Sequence, residues 1–207
     1  LSLRSCVLAP MLLNPERSNR LERQHALFGR VLKRRHGARM HSCAQIYSSS
    51  HESATDHLFR HLHQRGLRAH VGMTLMDQGA PGELCVPTEF AEAGMERLVA
   101  RWHEVDSGRL RYVVTPRFAL SCSPAMLEMA GRYAKKHSLS IQTHLSENRA
   151  EIEAVRQKFP NISDYLGVYE SFNLLKKNSL FAHCIHLTND EWSRIADAGG
   201  AISHCPD

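Results

Sequence analysis

The sequence predicts an α/β fold with a parallel sheet and covering helices, in the form of an incomplete TIM-like (β/α)8 barrel. A doubly wound sheet is the alternative. Strand-like and helix-like patterns alternate about six times between residues 44 and 206. The helix-like stretches are amphipathic and bounded by starts and stops. Three consecutive strand patterns end in histidine, at positions 144, 183 and 204. The C-terminal ends of strands are where barrels carry functional residues.

In chain order, "AQIYSSSH" (44–51) reads as a strand followed by polar residues. "ATDHLFRHLHQRG" (54–66) places Leu58, Phe59 and Leu62 at helical spacing and stops at Gly66. "LRAHVGMTLMD" (67–77) is the next strand, followed by a Gly/Pro loop. Thr88 is expected to cap a helix whose apolar face is Met95, Leu98, Val99 and Trp102; Gly108 closes that unit. "LRYVVTPRFAL" (110–120) is β-rich. Ser123-Pro124 reads as an N-cap with proline at the first helical position, continued by Met126, Met129, Ala130 and Tyr133. "LSIQTHL" (139–145) is a strand and "ENRAEIEAVRQKF" (147–159) a helix. "NSLFAHCIHL" (178–187) is a strand. Thr188 to Glu191 has the capping-box form. "GGAISHCP" (199–206) is a last strand, with no helix pattern after it, so the barrel is expected to hold about strands two to seven.

A hydrophobic share of 43% and a charged share of 23% are ordinary for a globular chain, and 207 residues leave room for a sizeable core. No run approaches the ~18–20 apolar residues of a membrane helix, so no membrane partner is expected. The opening "LSLRSCVLAPMLLNPERS" lacks the basic and apolar regions of a secretory leader. The six cysteines (6, 43, 85, 122, 184 and 205) form no C-x-x-C pair. Reduced thiols in a cytoplasmic protein are expected. The Asn161-Ile162-Ser163 acceptor pattern is then a chance match. The net charge of +5 is uneven. Residues 1–43 hold nine Lys and Arg against two acidic residues, and the rest holds 17 against 19. The basic segment 1–43 is expected to be disordered or foreign to the domain over 44–207. The alternative is an arm for nucleic acid or anionic lipid, but no aromatic interleaving supports it.

Successive strand side chains point to opposite faces. Counted this way, Ile141, Thr143 and Leu145 face the helices while Gln142 and His144 face inward. The same count puts Leu180 and Ala182 outward, with Phe181 and His183 inward. It puts Ile202 and His204 opposite Ala201 and Ser203, and groups Val113, Thr115 and Arg117. Three histidines in register, preceded by an arginine, point to a metal or catalytic site.

Four blocks then stand out in order: "VTPRFALSCS" (114–123), "THLSEN" (143–148), "AHC" (182–184) and "ISHCP" (202–206). At this spacing they resemble the guanine deaminases, zinc enzymes of the amidohydrolase superfamily. The resemblance covers about residues 44–207 and leaves out 1–43. It implies a metal-dependent (β/α)8 barrel beside a small β-sandwich, a cytoplasmic homodimer when complete, and hydrolysis of guanine to xanthine and ammonia in purine catabolism. Matched residue by residue, His144 and His183 correspond to metal ligands and His144 also borders the substrate. Glu147 corresponds to the proton shuttle, Arg117 and Phe118 to the pair that holds the purine, and His204 to a catalytic histidine near the attacking water.

These residue types suit that chemistry. Zinc makes hydroxide available near neutral pH, and neutral imidazoles are suitable ligands. A carboxyl group beside the water can protonate a ring nitrogen and the departing amine. An arginine offers planar donors to a purine carbonyl and ring nitrogen. The sequence also departs from the family. Residues 1–43 lack its His-x-His pair, and no eighth strand with an aspartate follows. His61-Leu62-His63 has the spacing but lies in a helix pattern. Two of the four usual ligands are therefore expected, and little or no activity from this chain alone. The alternatives are a non-catalytic protein acting through its basic arm, or a related amidohydrolase acting on another aminated heterocycle.

Overall fold

The structure, a computed structural model, describes residues 43–203. The basic segment before Cys43, and His204 with the residues after it, lie outside the described residues.

Six parallel strand positions form one arc. The first is β1 (Cys43–Tyr47). The second is β2 (Arg68–Gly72), continued past Met73 by β3 (Thr74–Leu75). The third is β4 (Leu110–Tyr112), continued by β5 (Thr115–Pro116). Then come β6 (Ile141–Leu145), β7 (Ser179–His183) and β8 (Ala201–Ser203). β1 pairs with β2, β2 with β4, β3 with β5, β6 with β7 and β7 with β8, all parallel. A parallel bridge from Val114 to Ile141 joins the third position to β6, backed by Gln142 N to Val114 O at 3.0 Å. Spatial order follows chain order throughout. A doubly wound sheet reverses at a switch point, and this one does not. The arc is that of an incomplete (β/α) barrel.

The covering helices are α1 (Glu52–Gln64), α2 (Thr88–Trp102), α3 (Pro124–Lys136), α4 (Arg149–Lys158), α5 (Tyr165–Ser171) and α6 (Asn189–Asp197). The starts of α3, α4, α5 and α6 are satisfied by side chains, as orphan amides require. Ser123 Oγ accepts from Met126 N at 3.2 Å, with Pro124 at the first turn. Asn148 Oδ1 accepts from Glu151 N at 2.9 Å and Asp164 Oδ1 from Gly167 N at 2.7 Å. Thr188 and Glu191 form the expected capping box. Thr88 corrects an expectation. It is the first residue of α2, after Pro87, and caps nothing; its hydroxyl lies 3.5 Å from Asp77 Oδ2 instead. No helix among the described residues is long and apolar enough to cross a membrane.

The core lies between sheet and helices. Ile46, Val71, Leu110, Val114 and Ile141 meet Leu58, Phe59, Leu62, Met95, Leu98, Met126 and Leu127, all at 2% exposure or less. Each such side chain contributes roughly 1.5–3 kcal/mol on burial. The inner face is tighter and partly polar. Gln142 Nε2 donates to Ile46 O and Thr115 Oγ1, both at 3.0 Å. A Cβ at position 72 would sit 1.7 Å from Thr115 Oγ1, so only glycine fits there.

The faces expected for β7 are reversed. Thr143 pairs with Phe181 and His144 with Ala182. Thr143 Oγ1 donates to Tyr169 Oη on α5 at 3.1 Å, and the Phe181 ring lies 5.9 Å from the Tyr169 ring. Phe181 therefore faces the helices, with Leu180 and Ala182 inward. Ile202 pairs with Phe181 and joins the helix-facing layer. Strict alternation put Phe181 with His183, but His183 has left the strand geometry: φ is 70° at His183 and 55° at Cys184.

Candidate active site

The site sits at the C-terminal ends of β5, β6 and β7. His144 points inward by plain alternation along β6. Its Nδ1 lies 2.7 Å from Arg117 O. A carbonyl only accepts, so Nδ1 carries the proton and Nε2 keeps its lone pair. Its backbone N donates to the same oxygen at 3.2 Å, and Thr143 Oγ1 lies 3.3 Å from it. Tyr47, at the end of β1, lies with its ring 4.5 Å from the His144 ring. Burial lowers the His144 pKa to about 4; the hydrogen bond to Arg117 opposes this, while His183 and the Arg117 charge add to it. The imidazole is neutral at pH 7.

His183 reaches the same place from the next strand. Left-handed backbone turns it off the helix-facing side, and its ring stacks on His144 with centroids 5.4 Å apart and planes 24° apart. Cys184 N holds the turn by donating to Leu145 O at 2.9 Å and Ala182 O at 3.1 Å. Glu147 follows β6 through Ser146, itself at φ 51°. Its Oε2 lies 3.6 Å from His183 Nε2, and its side chain is 45% exposed against 10% for His183. Glu147 thus faces solvent on one side and the histidine pair on the other. Arg117 and Phe118 follow β5, both half-buried, with the guanidinium carbon 5.0 Å from the Phe118 ring centre.

The structure therefore gathers His144, His183 and Glu147, and ties Arg117 to His144 through its carbonyl. His204 lies outside the described residues. The donor set fits half of a metal centre. It offers two imidazoles, one of them fixed in tautomer by a backbone carbonyl, as ligating histidines usually are. Among the described residues no group of three or more His, Cys, Asp or Glu stands ready to hold a metal. His61 and His63 are bound up in α1, where His63 Nδ1 lies 2.7 Å from Asp106 Oδ2. Two supporting residues escaped the sequence reading. Tyr169 Oη donates to His144 O at 2.6 Å, and Tyr47 covers the His144 ring. Asp164 with Tyr165 and Tyr169 one turn apart is the signal that could have found the first; position at a strand end could have found the second.

Comparison with known proteins bears on this geometry. Residues 41–207 match the amidohydrolase family. The guanine deaminase of Escherichia coli (strain K12) is 36% identical over 164 residues, covering 79% of this chain and 37% of that protein. The guanine deaminase of Dictyostelium discoideum is 36% identical over 182 residues, covering 87% and 40%. The solved E. coli guanine deaminase matches with a TM-score of 0.88 at 31% identity, over 98% of this chain and 50% of that one. A guanine deaminase from C. acetobutylicum with guanine bound in its active site matches at 0.81 and 27%, over 99% and 54%. The chain spans about two fifths of the length of the curated relatives it matches.

Proposed function

The chain belongs to the amidohydrolase family, and from that premise we propose that it carries the central part of a zinc-dependent guanine deaminase. The reaction is hydrolysis of guanine to xanthine and ammonia, in cytoplasmic purine catabolism. The observation that carries this reading is the neutral His144 ring stacked on His183, with Glu147 Oε2 3.6 Å from His183 Nε2.

His144 and His183 are the zinc ligands this chain supplies, and bound zinc provides a nucleophilic water near neutral pH. Glu147 takes the proton released as water attacks C2 of the purine and delivers it to the ring nitrogen; it then takes the proton of the new C2 hydroxyl and passes it to the amine, which leaves as ammonia as the C2 carbonyl forms. Arg117 donates to the purine carbonyl and a ring nitrogen, and Phe118 packs on the ring face. His144 borders the base, and His204 is assigned beside the attacking water. The similarity to guanine deaminases supports the choice of base, and a homodimer is proposed for the whole enzyme.

The test is equilibrium binding of guanine, adenine and cytosine with zinc present. Guanine should bind about tenfold more tightly than the others, and Arg117→Ala should remove the preference. Equal binding of all three bases, or none of guanine, overturns the assignment. Xanthine formation by this chain alone should stay near background, because the described residues supply two imidazoles; robust turnover would overturn that part.

A further inference from the structure

The loop after Arg117 and Phe118 turns six consecutive carbonyls toward donors. Arg117 O is held by the ring and backbone N–H groups of His144, as described. Phe118 O accepts from Ser121 N and Oγ, both at 3.1 Å. Ser121 O accepts from Asp77 N at 3.1 Å and Gln78 N at 3.3 Å. The other three converge on one ammonium group. Lys158 Nζ, from the last residue of α4, donates to Ala119 O at 2.8 Å, Leu120 O at 3.2 Å and Cys122 O at 2.8 Å. Gln78 Nε2 shares two of these, at 3.2 Å from Leu120 O and 3.0 Å from Cys122 O.

An ammonium has three donors, and here each finds a carbonyl. Converging carbonyl dipoles repel one another, and a cation at their focus removes that repulsion through charge-assisted hydrogen bonds. The half-buried stem of Lys158 passes the Phe159 ring, with Nζ 5.2 Å from its centre. The same helix starts at Asn148–Arg149, directly after Glu147. One side chain therefore ties the helix behind Glu147 to the loop that carries Arg117.

We propose that Lys158 is a positioning residue: a tethered cation in a three-carbonyl cage that fixes the Arg117–Phe118 loop against α4 and so sets the distance between the two sides of the site. Its link to substrate rests on the deaminase reading above; the cage does not.

The test is hydrogen exchange at Arg117, Ser121 and Ser123. Their amides donate to Leu75 O, Phe118 O and Asp77 Oδ1 at 3.0, 3.1 and 2.7 Å. In Lys158→Ala these amides should exchange about tenfold faster, while those of α1 stay unchanged. Propylammonium chloride, which replaces the lost side-chain atoms and their N–H donors, should restore slow exchange; tetramethylammonium chloride should not. Should Lys158→Ala fail to fold, Lys158→Met keeps the stem without the donors and gives the same readout. Unchanged exchange in the loop, an increase spread over the whole chain, or equal rescue by both salts overturns the proposal. Guanine affinity, measured alongside, should fall in the variant and recover with propylammonium. A wild-type chain that binds no guanine defeats the deaminase reading, and the exchange result still decides the cage.

Discussion

β6 and β7 are neighbouring parallel strands of five residues each, and each delivers a histidine to the same place. They do so differently. β6 stays regular through Leu145, and its left-handed residue, Ser146, comes two positions after His144. On β7 the histidine itself is left-handed, and Cys184 continues the turn. His144 is placed by alternation and held by Arg117 O; His183 is placed by a backbone conformation that costs an L-residue roughly 1–2 kcal/mol. The lesson is that a residue's face follows from a strand's pattern only while the strand lasts. At the mouth of a barrel, where function sits, the strand has often ended.

The difference can be broken first at Phe181, which on this register belongs to the core at 0% exposure. Phe181→Ala should cost about 3–5 kcal/mol, read by urea denaturation; a cost under about 1 kcal/mol would mean that β7 presents its other face to the helices. The next effect is one of pH on the metal-free chain. Folded His144 takes up its proton near pH 4, and an unfolded histidine near 6.5. The unfolded state is thus protonated first as pH falls, and stability should be lost between pH 6.5 and about 4, by on the order of 3 kcal/mol. Denaturation in the presence of a chelator should show this slope in the wild type and a flatter one in His144→Asn; equal slopes would remove the buried neutral imidazole from the account. A smaller change tests the support behind β6. Tyr169→Phe should cost about 1 kcal/mol, since its hydroxyl serves both His144 O and Thr143. No change in the denaturation midpoint would make that hydroxyl idle. The finest test compares Gly with Ala at position 184. At φ 55° glycine should be the more stable by about 1 kcal/mol. At Thr143, inside a regular strand, the order should invert; alanine the more stable at both sites would show that β7 does not leave strand geometry at its end.

The alternating strands and helices were legible because each helix is amphipathic and several carry their own start signals, Ser123-Pro124 and the Thr188–Glu191 box most plainly. The grouping of His144, His183 and Glu147 was legible from spacing and from the resemblance of four short blocks. The facing of Phe181 was not, because the positive φ at His183 shifts the count and leaves no mark in the residue pattern. α5 escaped notice because it spans seven residues and contains Gly167; a helix so short is held by its cap and by packing rather than by propensity. Lys158 was legible as a lysine near a helix end and nothing more, since its three partners lie 36–39 residues away in the chain.

Gly72 has a consequence for how such a chain can change over generations. With Thr115 Oγ1 where its Cβ would lie, and Gln142 bridging β1 and β5 beside it, the floor of the arc is a plug that tolerates almost no alteration. Novelty has to enter from the rim. Exposed positions that hold neither the site nor a helix start leave more room, as at Phe90 and Ile185, so change is expected around the site sooner than beneath it.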